Sequence, residues 1–160
     1  MDDVEAFKAA FRRLAAGVAV VTALHPDGTP AGFTATSVAS LAAVPPMATF
    51  NMARKASAWP AVEQTEHVII HFLGVRNRAA AETLSLDADV RFAGDHWAPG
   101  PLGLPLLNDV PAWMLCRIVG RYPVEESAMV AVRIENGALG EADIPLLYHE
   151  REYWRPGDRA

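Results

Sequence analysis

Short apolar runs dominate this chain, each bounded by Gly, Pro, Asn or Asp, and they do not alternate regularly with helices. Residues 18–24, 31–36, 47–51, 67–73, 112–124, 128–134, 146–149 and 152–154 read as strands, and Gly120 interrupts the longest. So many strands leave many unpaired edges unless the sheet curls onto itself, and closure into a small antiparallel barrel removes most of them. The pattern therefore predicts a mainly β fold with two or three peripheral short helices. Val4, Phe7, Phe11 and Leu14 recur at helical spacing behind Asp2, with Glu5 completing a capping box. A second helix is expected to start at an Ser57 N-cap and run to about Gln64, and an Ala-rich third spans 77–84. Residues 37–44 read as irregular. Residues 86–109, rich in Gly and Pro, form a long loop of the kind that tends to carry function.

A chain of 160 residues with 51% hydrophobic and 21% charged residues supports one cored domain, expected over residues 1–160. The net charge of −5 argues against a nucleic-acid partner. No apolar run approaches the roughly 18 residues of a membrane helix, so no membrane partner is expected. The acidic N-terminus does not resemble a secretory signal, and the single Cys116 cannot form an internal disulfide, so a cytoplasmic location is expected. The 12 Arg include two dense groups, Arg12-Arg13 and Arg76/Arg78, which read as solvated helix faces.

Several kinds of chemistry lack their residues here. There is no Gly-x-Gly-x-x-Gly after a strand, no phosphate loop ending in Gly-Lys-Ser/Thr, and no Gly-x-Ser-x-Gly elbow. Cys116 sits in apolar company and reads as a core thiol. His67 and His71 share a strand face but stand about 13 Å apart, and His25, His96 and His149 lack zinc spacing, so no metal is expected.

Two segments suit a planar, phosphorylated ligand. Thr34-Ala35-Thr36-Ser37-Val38-Ala39-Ser40 joins a strand end to a small-residue loop, where main-chain N–H groups and hydroxyls can meet a ring edge. Asn51-Met52-Ala53-Arg54-Lys55-Ala56-Ser57 leads to a helix start with two cations beside it, which favours an anion. An ordinary polar loop and a plain helix cap are the competing readings.

These residues carry a resemblance. Gly32-Phe33-Thr34-Ala35-Thr36-Ser37-Val38, then Ser40 and Pro45-Pro46, is similar to the Gly-x-Thr-Ala-Asn-Ser-Phe…Pro-Pro signature of the flavin reductase domain family. That family comprises the small reductase components of two-component flavin-dependent monooxygenases. The likeness extends through Lys55-Ala56-Ser57, Arg91-Phe92-Ala93-Gly94, Trp97, Ala112 to Cys116, and Pro145 to Tyr148 with Tyr153.

The resemblance implies an FMN-binding split β-barrel, antiparallel and Greek-key-like, assembled as a homodimer. It implies FMN, or FAD, as cofactor and NAD(P)H as hydride donor, with reduced flavin passed to a monooxygenase partner. Thr34, Thr36, Ser37, Val38 and Ser40 would face the ring and ribityl chain; Asn51, Ala53, Lys55 and Ser57 would face the ribityl tail and phosphate. No side chain is expected to act as a catalytic acid or base, because the flavin carries the chemistry.

The chain departs from the family pattern at several points. Thr36 stands for the usual Asn, Asn77 for a Gln, and Glu126-Ser127-Ala128 for a Gly-Asp-His whose imidazole borders the nicotinamide. Arg133 replaces a later Gly, and Gly94-Asp95-His96 lies in a loop where it opens no strand. A flavin-binding barrel without NAD(P)H activity is therefore the alternative.

Overall fold

The computed structural model describes residues 1–160. In chain order the elements are α1 (Asp3–Arg12), β1 (Ala16–Gly17), β2 (Ala19–Leu24), β3 (Pro30–Ala35), β4 (Ala39–Ala43), β5 (Pro46–Ala53), α2 (Trp59–Gln64) and β6 (His67–Phe72). There follow α3 (Arg78–Thr83), β7 (Trp97–Pro99), β8 (Pro105–Leu107), β9 (Ala112–Val124), β10 (Ser127–Leu139), β11 (Leu147–His149) and β12 (Glu152–Trp154). Seven strands pair in the order β3-β2-β6-β9-β10-β5-β4, every neighbour antiparallel. β1, β11 and β12 make a small second sheet, and β7 pairs with β8.

The strands form where β-branched and aromatic residues alternate between two apolar clusters. One holds Val21, Phe50, Ile70, Val130 and Val132 inside the barrel, under Trp59 and Val62 of α2. The other, with Val20, Leu73, Leu84 and Leu107, seats α3 and the β7–β8 hairpin on the opposite face of β2. Residues 37–44 are not wholly irregular: 39–43 make β4, an edge strand on β5 with a bulge between Ser40 and Ala42. Its alanines carry little strand propensity, and pairing with β5 decides the outcome. α1 has the expected capping box and buries none of its residues.

Arg76 is not on a solvated face. Its Nε and Nη1 donate to the carbonyls of Asp109 and Ala142 at 3.0 and 3.1 Å, and Asp109 and Asp143 lie beside it. The N–H of Arg76 donates to Asp143, which holds that carboxyl below the usual carboxylate range. Asn77, buried at 5% exposure, accepts from Gly74 N–H and donates to Asp109 O. These bonds tie three loops together where α3 begins.

His71 is the one fully buried imidazole. Nε2 accepts from Leu107 N–H at 3.1 Å, so the ring proton sits on Nδ1 and is donated to Val20 O at 2.9 Å. Burial depresses its pKa from 6.5 to about 4, partly offset by the Val20 bond. Unfolding therefore takes up a proton between about pH 4 and 6.5, and stability rises with pH across that window and levels off above it. The full effect is about 3 kcal/mol. Urea unfolding midpoints are expected to fall as pH drops through this range. A His71→Leu variant should be less stable at neutral pH yet show a shallower slope; an identical slope would refute the assignment.

Candidate functional site

The seven-stranded sheet ends on β3, which pairs with β2 alone. Across the gap lies β5, whose partnership with β4 stops at Thr49. The facing lengths of β3 and β5 thus leave a seam in the barrel without a ladder. Phe33 and Phe50 close its floor, ring centroids 6.0 Å apart. Above them a cleft of about 490 Å³ runs along β3, lined by Thr34, Thr36, Ser37, Asn51, Ala53 and Ser57 together with Phe33, Ala35, Met52, Ala56, Arg91 and Ser127.

The hydroxyls in this cleft are not equivalent. Ser37 Oγ accepts from Asn51 N–H at 2.9 Å and donates to Asn51 O at 3.3 Å, so it bridges the seam where the ladder fails. Thr34 Oγ1 donates to Ala81 O of α3 at 2.7 Å, which fixes β3 against that helix. Both hydroxyl protons are spent inside the protein. Thr36, Ser57 and the Asn51 amide make no side-chain hydrogen bond within the chain and are free for a ligand.

Ser57 does not cap α2. The helix begins after Ala58, with no side-chain cap, because the Ala56 N–H to Ala53 O and Trp59 N–H to Ala56 O turns delay its start by one residue. That leaves the Ser57 hydroxyl directed to the cleft. Val38 and Ser40 follow the same loop over the edge and line a separate apolar groove with Leu41, Met47, Phe72 and Met114. Lys55 is exposed and lies 3.6 Å from Glu126.

Arg91 was not among the residues expected here. It comes from the long loop 86–109; the loop's composition and the family likeness at Arg91-Phe92-Ala93-Gly94 mark the stretch, and neither assigns Arg91 to the site. Its Nε donates to Leu86 O at 2.7 Å and its Nη1 to Gly32 O at 2.8 Å. Ser127, the middle of Glu126-Ser127-Ala128, pairs with Ala53 and lines the same cleft. His96 bonds Arg91 O through Nε2 at 2.7 Å, so the Gly94-Asp95-His96 loop holds Arg91's own main chain. Cys116 is buried in β9, and burial pushes its thiol up to about 12, which leaves it unreactive.

The donor set fits a flavin nucleotide. Small walls at Ala35, Ala53 and Ala56 admit a flat ring close to the main chain, free amide and hydroxyl groups can meet its polar edge, and a cation stands at one end. A split barrel with a cleft of this chemistry defines a class of flavin-binding proteins. The model of the flavin reductase like domain matches residues 11–156, and the chain belongs to that family. It is 38% identical to an NADH:FMN oxidoreductase of Rhodococcus erythropolis over 155 residues, covering 94% of this chain and 80% of that protein. It is 36% identical over 154 residues to FMN reductase (NADH) RutF of Methylorubrum extorquens, covering 94% and 74%. The crystal structure of a flavin reductase domain protein from Arthrobacter sp. FB24 superposes with a TM-score of 0.94 at 46% identity, covering 98% of both chains.

Gly32 is required by this packing. A Cβ there would stand 2.8 Å from the Phe92 ring and 3.1 Å from Val21 O. Gly32→Ala is expected to displace Phe92 and cost about 1–3 kcal/mol of stability. Thermal unfolding checks this, and an unchanged midpoint would show that the ring has room to give.

Proposed function

We propose that the chain is an NAD(P)H:flavin oxidoreductase. It binds FMN, with FAD as the alternative, in the β3–β5 cleft and supplies reduced flavin to a flavin-dependent monooxygenase component. The observation that carries this reading is the half-open seam lined with free donors, in a chain of the flavin reductase like family. The names of the relatives, NADH:FMN oxidoreductase and FMN reductase (NADH), favour NADH as donor and FMN as acceptor.

When bound, the flavin supplies the hydride-accepting ring. Thr36 and the Asn51 amide would hold the ring's polar edge, while Ala35, Ala53 and Ala56 set how closely it lies on the main chain. Ser57 and Arg91 would take the anionic tail. Thr34 and Ser37 would act through the backbone they hold in place. Val38 and Ser40 would support the far side of the same loop, and Lys55 would add positive charge at the rim. No residue needs to move a proton for hydride to pass, so the chain's task is orientation.

A flavin binder without nicotinamide activity is the second reading, favoured by Glu126-Ser127-Ala128, where Ser127 offers the cleft a hydroxyl and no imidazole. Purified protein supplied with FMN or FAD and either nicotinamide nucleotide separates the two. Flavin-dependent loss of reduced-nicotinamide absorbance is expected; tight flavin binding with neither nucleotide consumed would establish the second reading instead.

The working unit in this proposal is a cytoplasmic homodimer. All five residues of β4 are exposed, Leu41 at 58%, and beside them lies an apolar groove of about 470 Å³ lined by Met47, Phe72, Met114 and Ile134. An exposed edge strand with an apolar flank is a surface that a second copy would cover. Leu41→Glu is expected to shift the protein toward monomer in analytical ultracentrifugation. A wild-type monomer would refute the dimer.

A further inference from the structure

We infer that α1 and the β11–β12 turn form a docking groove for an acidic amphipathic helix carried by another protein. The groove, of about 220 Å³, shares no lining residue with the β3–β5 cleft. The inference is thus independent of the flavin reading, and a protein seated there leaves the cleft open. Val4, Phe7, Phe11 and Leu14 form an apolar stripe that the chain itself does not cover: Phe7 and Phe11 are 61% and 58% exposed, their ring centroids 4.6 Å apart. Tyr148 and His149 of β11 complete the groove's lining. A helix of ten residues draws most of its stability from packing of such a face. The chain holds α1 at its C-terminal end, where Glu150 N–H donates to Arg12 O at 3.1 Å and Ala16 of β1 pairs with Tyr148.

The charges choose the occupant. Lys8, Arg12 and Arg151 line the groove against one carboxylate, Glu150, in a chain whose net charge is −5. None of these three cations forms an ion pair. The carboxylates of α1 and its cap are spent elsewhere: Asp2 accepts from Glu5 N–H, Glu5 from Asp2 N–H and Asp3 from Val4 N–H, all at the helix's own N-terminus. Glu150 and Arg151 also hold left-handed φ values of 50° and 66°, a conformation that favours glycine, and the turn keeps charged side chains there. Free cations around an apolar floor match a helix with an apolar stripe and carboxylates on its flanks. A second copy of this chain matches less well, because a two-fold contact would bring the same cations together.

A synthetic helix of roughly four turns, with leucine along one face and glutamate on both flanks, serves as the ligand, and a lysine-flanked counterpart is the control. Fluorescence anisotropy of the dye-labelled peptides should show the glutamate form binding about tenfold tighter or better, and less so as salt rises. Lys8→Glu combined with Arg12→Glu should weaken it about tenfold, as expected for two exposed charge contacts, and Phe11→Ser should weaken it too. Because α1 buries no residue, these variants should keep the wild-type unfolding midpoint. Amide shifts on binding should centre on Phe7, Phe11, Tyr148 and Arg151. No binding, equal binding of both peptides, or binding that survives the charge reversal overturns the inference. If Phe11→Ser instead turns an associated wild type into a smaller species in ultracentrifugation, a second copy is the occupant. If vesicles of anionic lipid bind the wild type and the glutamate peptide does not, a membrane surface is the occupant. Either result overturns the inference as well.

Discussion

One omission in the hydrogen-bond ladder governs the rest: β3 has a partner on one side only, and β5 loses its outer partner after Thr49. An unpaired strand edge normally invites aggregation or is covered. Here a single side chain spans part of the gap. Ser37 serves the Asn51 N–H and carbonyl together, so the seam is closed at its end by a hydroxyl and open along its length. The opening exists because the barrel stops one ladder short, and its floor is apolar because Phe33 and Phe50 meet beneath it. Binding capacity is thus a consequence of the fold's incompleteness, with few residues dedicated to it.

The two sides of that opening are held by different means. β5 is a central strand, paired to β10 over its whole length from Ser127–Ala53 to Arg133–Met47. β3 is an edge and needs outside support, which comes from α3 through the Thr34–Ala81 bond and from the 86–109 loop through the Arg91–Gly32 bond. Those supports are anchored in turn by the Arg76–Asn77 knot and by His71, which binds the β8 end of the loop to β2. The neutral imidazole and the Arg76 network lie away from the cleft, yet each fixes an element that touches β3.

The fold was legible in the sequence because its strands are short, apolar and bounded by turn residues, so pattern and tertiary pairing agree. Strands expected over 18–24, 67–73 and 112–124 form at Ala19–Leu24, His67–Phe72 and Ala112–Val124. β4 was hidden because its alanines say nothing local about strand; only the neighbour β5 decides it. The cleft was half legible. Thr34, Thr36, Ser37, Asn51, Ala53 and Ser57 sit in two chain segments, and the barrel closure expected from the strand pattern is what sets those segments across from each other. The family likeness passes through Arg91-Phe92-Ala93-Gly94, yet Arg91's place at the site was illegible for a physical reason: it reaches the cleft from an irregular loop and is held there by a contact with Gly32 across 59 residues. A side chain placed by a distant carbonyl leaves no period in the sequence. Ser57 was read for the wrong local reason, as a helix cap, and lies on the cleft because it is not one.

The loss of an imidazole at Glu126-Ser127-Ala128 is weighed best by asking what hydride transfer demands of a protein. It requires two flat rings held face to face with water kept out, and it requires no proton at the moment of transfer. A histidine at the rim would add binding to the donor, and its removal subtracts that binding without touching the acceptor. In the proposed reading the acceptor's seat rests instead on the Ser37 bridge, the small walls and the tethered Arg91. Ser127 lines the same cleft beside Ala53, held in register by their pairing. The turn before it is pinned by Arg54, whose N–H donates to Glu126 O at 2.7 Å and whose Nη1 donates to Glu125 O at 3.0 Å. At this side the cleft therefore offers a hydroxyl on a strand end fixed in register, a group that can orient a partner ring and supplies no imidazole.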